Sequence, residues 1–538
     1  METKHKQQID QCVQLLSSRS TDDEKLAGLL LLPRIIDAQD GDSLALVFES
    51  MDTRFLERLL RTGIKQHLKN QDDSPMLGIA AYVIGVFASH QKIAQHPRML
   101  DRIPTLYRAA SLGIPGVSTE AMQALGKILA LDAGVQRILD RSELFVDAVA
   151  ETQLKNMDMA GFVLKRCSEF IHLHDDISIY AHGWGCLVGK FSSMFDAARD
   201  MVKFELMSVL ASCLEPLDSD DAASIDAVDS CLLVVSAISS GCAWMLSQKS
   251  EPTKYTDQAL VLYSHLARLW PSHAYSRDPS YPDLTKNSEL ALRLACIEGQ
   301  ASLDSMMICA PPDKKTGRMT LEQEAKKENE RLKLGWKYPV CAEIASGWLE
   351  WIGRWLDEQP DQIEPANGAK QQQEEEQEQM IYKLMSEVQK LSEASVGFLC
   401  DWKDRTRDDL QMLNSAPELV LSAMHLLGAW LATDPKLHKP AIPILPMCAT
   451  WILQGGNDGA VIKEYMRPCI SFALDTCGVS EMHYVDDLKT RESRYAKPKT
   501  LEFASPWVGS IEFDDLSRAV YNIPSDEDIL RARQNQAR

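Results

Sequence analysis

The densest set of side chains able to hold a metal is His172, His174, Asp175 and Asp176, with His182 close behind. Imidazole and carboxylate together suit zinc or iron. On a helix, His172 and Asp176 would share a face four residues apart while His174 points elsewhere. The same residues suit a polar capping loop between Ile171 and Ile177, and this second reading is the one adopted. A metal-dependent hydrolase using His172, His174 and Asp175 stands as its rival. GWGCLVGKF at 183–191 has glycines and a lysine, but not the spacing of a phosphate-binding loop. Trp184 stands where that loop needs its first glycine, and Phe191 where a hydroxyl must reach magnesium. The stretch is expected to be a helix whose small residues allow close packing. No G-x-S-x-G, H-E-x-x-H or G-x-G-x-x-G occurs. No catalytic, cofactor-binding or metal-ligating residue is therefore assigned, no cofactor is expected, and the chain is read as a non-enzyme.

Other residues point to recognition instead. Trp348, Trp351 and Trp355 fall at i, i+3 and i+7, so one helix face carries three indoles. That face is expected to be core, with Trp351 the indole that reaches the surface as a partner contact. WPSHAYSRDPSYPDLT at 270–285 mixes proline, polar and aromatic residues and reads as a long surface loop. Its Tyr275, Arg277 and Tyr281 join Trp351 as the candidate partner-binding residues. KTRESRYAKPK at 489–499 is the clearest basic patch, read as a solvated loop paired with nearby acids.

Composition narrows the class. The chain has 538 residues, 45% apolar and 25% charged, with a formal net charge of −20. Such a balance fits a folded chain, excludes general nucleic-acid binding, and favours basic partner segments. Its 13 cysteines lie mostly inside apolar runs without C-x-x-C spacing, as expected of buried free thiols in a reducing compartment. METKHKQQID has no apolar core, and the longest apolar run, Cys231 to Leu246, is shorter than the ~20 residues of a membrane span. A cytoplasmic location is expected, with the nucleus left open, and no stable membrane insertion.

The elements that would hold these residues are helices. Thr21 to Glu24 has the form of a capping box, and Leu44, Val47, Phe48 and Met51 follow helical spacing. Residues 74–110 predict a two-helix hairpin: Ser74 caps, Pro75 opens the first helix, His96-Pro97 marks the turn, and Met99, Ile103 and Leu106 line the second. Further helices are expected to open at Ser118 or Thr119, at Asp132, and over 229–246, 255–269 and 289–307. Pairs recurring every ~40 residues predict an all-α, armadillo/HEAT-like α-solenoid. The expected organisation is solenoid repeats over 1–310, a charged helix and Trp-rich helix over 311–356, a disordered acidic Gln-rich linker over 357–379, helical repeats over 380–490, and a partly ordered tail over 491–538. In the fourth block, Ser415 to Glu418 is expected to cap a helix facing inward through Val420, Met424, Leu427 and Leu431.

GIAAYVIGVFASHQKIAQHPRMLDRIPTL, together with EKLAGLLLLPRIIDAQD before it and LLGAWLATD at 426–434, resembles the neurochondrin family. The resemblance implies an armadillo-like cytoplasmic protein without known catalytic residues, tied in animals to neurite outgrowth and neuronal signalling through protein partners. Animal members resemble one another in having lipidatable cysteines near the start. Here none precedes Cys12, so attachment by that route is not expected. The expected function is a scaffold or adaptor for protein partners. A transport-type solenoid taking basic cargo is the alternative within the same architecture.

Overall fold

The computed structural model describes residues 2–17, 19–35, 41–70, 75–152, 155–174, 177–228, 231–248, 253–276, 282–309, 335–357, 368–406, 418–434 and 437–444, with 448, 462–463, 465–466, 500–502 and 510–512 beyond. Two compact units divide the chain, Met1–Met245 and Leu246–Arg538. The division thus comes well before the boundary expected near residue 310.

The first unit contains helices α1 (Glu2–Leu16), α2 (Asp22–Ile35), α3 (Gly41–Ser50), α4 (Thr53–Asn70), α5 (Pro75–Ala88), α6 (Gln91–Ala94), α7 (Pro97–Leu100), α8 (Ile103–Ala110), α9 (Val117–Leu129), α10 (Asp132–Asp140), α11 (Ser142–Glu151), α12 (Met157–His172), α13 (Ser178–Ala197), α14 (Met201–Leu214) and α15 (Ser219–Val228), and most of α16 (Leu232–Ser247). Each helix packs on near neighbours in sequence. One layer runs α4, α8, α11, α13, and a second runs α2, α5, α9, α12, α14. Cross-layer packing of α4 on α5, α8 on α9 and α13 on α14 makes each pair a repeat that buries its core against the next. This is the α-solenoid that the helix rhythm predicts.

Local chemistry explains the helix ends. The Thr21 backbone N–H donates to Glu24 Oε2 at 2.7 Å, and the Glu24 N–H donates to Thr21 Oγ1 at 3.3 Å, so the capping box forms. In α5, Leu77, Ala80, Ala81, Ile84, Phe87 and Ala88 are buried as expected. The second arm of the hairpin is broken into α6, α7 and α8, although Met99, Ile103 and Leu106 are buried as its pattern requires. Pro97 and Pro104 each sit in the first turn of a new helix, where a missing N–H costs nothing. His96 Nδ1 caps α7 by accepting from the Arg98 N–H at 3.2 Å. Ser74 lies outside the described residues. The helix expected from Ser118 or Thr119 starts at Val117, behind Gly116 at φ 84°, a left-handed conformation that glycine adopts freely.

In the second unit, helix Pro282–Cys309 packs on Lys337–Asp357 and on Gly368–Thr406, and Lys337–Asp357 packs on Thr253–Leu269 and Glu418–Thr433. Val420, Met424, Leu427 and Leu431 all face the core. The helix Gly368–Thr406 starts inside the stretch expected to be a disordered linker, which is a correction for residues 368–379. Glutamine and glutamate are good helix formers, so an acidic Gln-rich composition does not by itself oppose a helix. Residues 310–334, with the charged helix expected there, and the 489–499 basic patch lie outside the described residues. Strands β1 (Thr500–Glu502) and β2 (Ser510–Glu512) pair antiparallel.

All ten cysteines whose side chains are described are free; eight are buried, and Cys186 and Cys400 are partly exposed. Burial pushes the Cys12 thiol up to about 11 and those of Cys213 and Cys341 up to about 12, so they stay protonated and unreactive. Among the described residues, no single helix is long and apolar enough to cross a membrane.

Candidate partner-binding groove

The expected partner residues are placed inward. Trp351 is 8% exposed, while Trp355, stacked on it at 6.2 Å, is the partly exposed indole of the trio. Tyr275 is 2% exposed, and its hydroxyl donates to the Ile344 carbonyl at 2.6 Å. Of the surface loop expected at 270–285, residues 270–276 are instead anchored by this contact and by the short helix Pro271–Ala274, with Trp270 and Ala274 buried, and 282–285 open the helix Pro282–Cys309. Trp351 and Tyr275 are therefore corrected from surface contacts to core, because large rings bury more area inward than a rim can offer. Arg277 and Tyr281 lie outside the described residues.

The rival hydrolase set is not assembled among the described residues. His174 Nδ1 lies 2.7 Å from the Phe170 carbonyl, and its ring packs on Phe170 at 3.8 Å. Asp175 and Asp176 are outside the described residues. His172 instead meets Asp221 Oδ2 at 2.8 Å and Asp218 Oδ2 at 3.7 Å. Those carboxylates already have work in the turn entering α15: Asp221 Oδ2 accepts from the Asp218 N–H, and Asp218 Oδ1 accepts from the N–H groups of Asp220 and Asp221. The hydrogen bond to Asp221 holds the His172 pKa above its ordinary value. A histidine closing a helix-capping turn accounts for this cluster. The 183–191 stretch is helical as expected. Trp184 donates to Ser168 Oγ at 2.9 Å, and a Cβ on Gly183 would lie 2.1 Å from the Leu139 carbonyl oxygen.

A wide opening lies in the first unit, on the layer made by α4, α8 and α11. It is a groove of about 710 Å³. Helix α4 buries Leu56, Leu60 and Ile64 on one side, which turns Arg61, Lys65 and Leu68 toward the groove at helical spacing. Helix α8 buries Ile103, Leu106 and Tyr107 and lends Pro104 and Arg108, with Leu112 just beyond. Helix α11 buries Phe145, Ala148 and Val149 and lends Leu144 and Glu151. Leu68 and Leu144 are 63% and 47% exposed, large apolar surface for a repeat face.

Ion pairs fix the groove walls. Glu57 Oε1 lies 2.6 Å from Arg61 and accepts from Thr105 Oγ1 at 3.0 Å, tying α4 to α8. Arg108 pairs with Glu151 at 2.6 Å, tying α8 to α11. A small adjoining notch of about 20 Å³ shares Asp101, Pro104 and Leu144, and there Arg137 and Arg141 both reach Asp101. Residues 53–70 escape sequence reading as a site because their charges resemble an ordinary solvated helix face. Leu68 beside Lys65 and Lys69 is the signal that was available.

Comparison with known proteins gives a consistent family. The sequence model of the Neurochondrin family matches residues 3–447. Neurochondrin of Gallus gallus is 24% identical over 309 residues, covering 55% of this chain and 42% of that protein. The neurochondrin homolog of Drosophila melanogaster is 28% identical over 102 residues, 18% of this chain and 14% of that protein. The matched region thus spans less than half the length of either relative. Among solved structures, an engineered protein aligns with 96% of this chain and 99% of its own at 14% identity and a TM-score of 0.42. Kap121p bound to Nup53p aligns with 94% of this chain and 59% of its own at 12% identity and a TM-score of 0.23. Those two superpositions are too loose to bear on fold or function.

Proposed function

The chain belongs to the neurochondrin family, and from that premise we propose that it is a non-enzymatic scaffold that binds other proteins through the α4, α8 and α11 groove. The observation that carries this reading is the pairing of exposed Leu68 and Leu144 with charged walls in one groove. An apolar centre inside a polar rim is the anatomy of a protein-recognition site. Consecutive solenoid repeats offer such a surface without needing any one residue to do chemistry. We further propose a role in cytoplasmic signalling or assembly. Its support is the free, buried cysteines, which suit a reducing compartment.

Quantitative affinity capture from native extract tests the proposal, comparing the full chain with a Leu68→Glu, Leu144→Glu double variant. Partners recovered by the full chain are expected to fall about tenfold or more with the variant, as for a lost interface hot spot. Circular dichroism and melting temperature should not change, since both side chains are exposed. Reproducible partners that bind the variant equally well would move the site elsewhere, and no reproducible partner at all would sink the scaffold reading.

A further inference from the structure

The whole chain is strongly acidic, which by itself predicts basic partners, but the groove carries the opposite balance. Arg61, Lys65, Arg108, Arg137, Arg141 and Lys155 line it and its notch, against only Asp101 and Glu151 as acids. The arginines are largely satisfied from within: Arg61 by Glu57, Arg108 by Glu151, and Arg137 and Arg141 by Asp101. Lys65 and Lys155 are exposed and make no ion pair among the described residues. They flank the opening from α4 and from the turn after α11, on either side of an apolar floor that includes Ile64, Pro104 and Leu112.

We propose that this groove binds an acidic peptide segment of a partner protein, one whose apolar anchors seat on Leu68 and Leu144 while its carboxylates pair with Lys65 and Lys155. The inference rests on the scaffold reading and names the chemistry of its ligand. Charge complementarity selects the sign of the ligand, because a basic segment would face cations on both walls and lose the attraction that orients docking. The apolar floor selects a peptide over a phosphate polymer. A nucleic acid would use the lysines and leave exposed leucines uncovered, whereas a peptide helix or strand covers both. Arg108 adds a second role. Glu151 is 63% exposed, so a ligand carboxylate can replace it on the guanidinium without burying an unpaired charge.

Panning a phage-displayed random-peptide library on the full chain tests this, followed by fluorescence anisotropy with the enriched peptides synthesised. The enriched peptides should be net acidic with two or more aliphatic or aromatic positions. Their affinity should fall about tenfold or more for a Lys65→Glu, Lys155→Glu variant, and also for the Leu68→Glu, Leu144→Glu variant. Replacing a peptide's acidic residues by lysine should abolish binding to the native chain and restore it to the charge-reversed one. Enrichment of basic peptides that the leucine variant no longer binds would overturn the acidic-ligand inference while leaving the scaffold reading intact. Acidic peptides that bind both variants undiminished, a single-stranded oligonucleotide that displaces them, or no enriched peptide would each overturn it as well.

Discussion

Lys203 is a buried lysine of the first unit. Its ammonium is fully buried, donates to the Phe195 carbonyl at 2.7 Å, and lies over the Phe195 and Trp244 rings at 4.5 and 5.2 Å. Phe195 lies near the C-terminal end of α13, where helix carbonyls lack partners and favour a cation. Burial pushes Lys203 down to about 8, reinforced by Arg199 and opposed by Asp196 and Cys242. Below pH 8 the lysine is protonated both folded and unfolded and adds no pH dependence. Between pH 8 and its ordinary 10.5 the unfolded chain holds the extra proton, so the native state gains stability as pH rises. Buried thiols and tyrosines pull the other way at high pH, since Cys12 and Tyr107 keep protons that the unfolded chain releases. They are common to wild type and a Lys203→Met variant, and cancel in the difference. Chemical denaturation should therefore show wild type gaining on Lys203→Met by about 3 kcal/mol across that window. A pH-independent difference would mean that the site does not depress the ammonium.

Neither Lys203 nor His172 was legible from spacing. Lys203 takes carbonyls from the end of the previous helix, and His172 takes Asp221 from a later helix and Asp218 from the turn that enters it. A sequence window sees neighbours along the chain, whereas side-chain partners are chosen by packing.

At the scale of elements, the apolar pattern was far more readable. The helix period placed Leu77, Ala80, Ile84, Val135, Ile138 and Leu139 inside, and the capping box at Thr21 closed as its residue types require. Where the second arm of the hairpin fragments, competing principles met: helical periodicity continued through Pro97 and Pro104, but proline permits only a restart. Close packing of α13 was also readable from its glycines, and it yields a paired test. A Cβ at Gly183 would stand 2.1 Å from the Leu139 carbonyl oxygen, backbone that cannot yield cheaply. Gly183→Ala should destabilise the first unit by about 1–3 kcal/mol, the usual cost of overpacking. Gly189, on the same helix, would place its Cβ 3.8 Å from Val234, ordinary contact distance. Gly189→Ala should be neutral or stabilise by up to ~1 kcal/mol through helix propensity. Urea unfolding of the two variants side by side checks both.

For the whole molecule, the architecture was visible in helix rhythm while the binding surface was not. Net charge of −20 directs attention to basic partners, yet charge is an average over a surface and a groove is local. With a screening length near 8 Å in physiological salt, a docking peptide feels mainly the walls it touches. The aromatic candidates failed for a related reason. Trp351 and Tyr275 have the residue types of hot spots, but a solenoid needs its largest rings to fill the space between repeats, and they serve there.

The buried cysteines have a consequence for how the molecule opens. Cys12, Cys167, Cys213, Cys242, Cys296 and Cys341 are each covered by neighbouring helices, and Ser168 Oγ lies 3.2 Å from Cys213 Sγ across α12 and α14. A thiol in such a place can be alkylated only while its helix is transiently detached, so its labelling rate measures that detachment. Among the described cysteines, Cys186 and Cys400 should react first in mass-spectrometric pulse labelling, and Cys167 and Cys213 should follow together, slowed on the order of a thousandfold or more. The thiols thus act as clock hands set into α1, α12, α14 and α16 and into helices of the second unit, and the order in which they stop gives the order in which those helices come away from their neighbours.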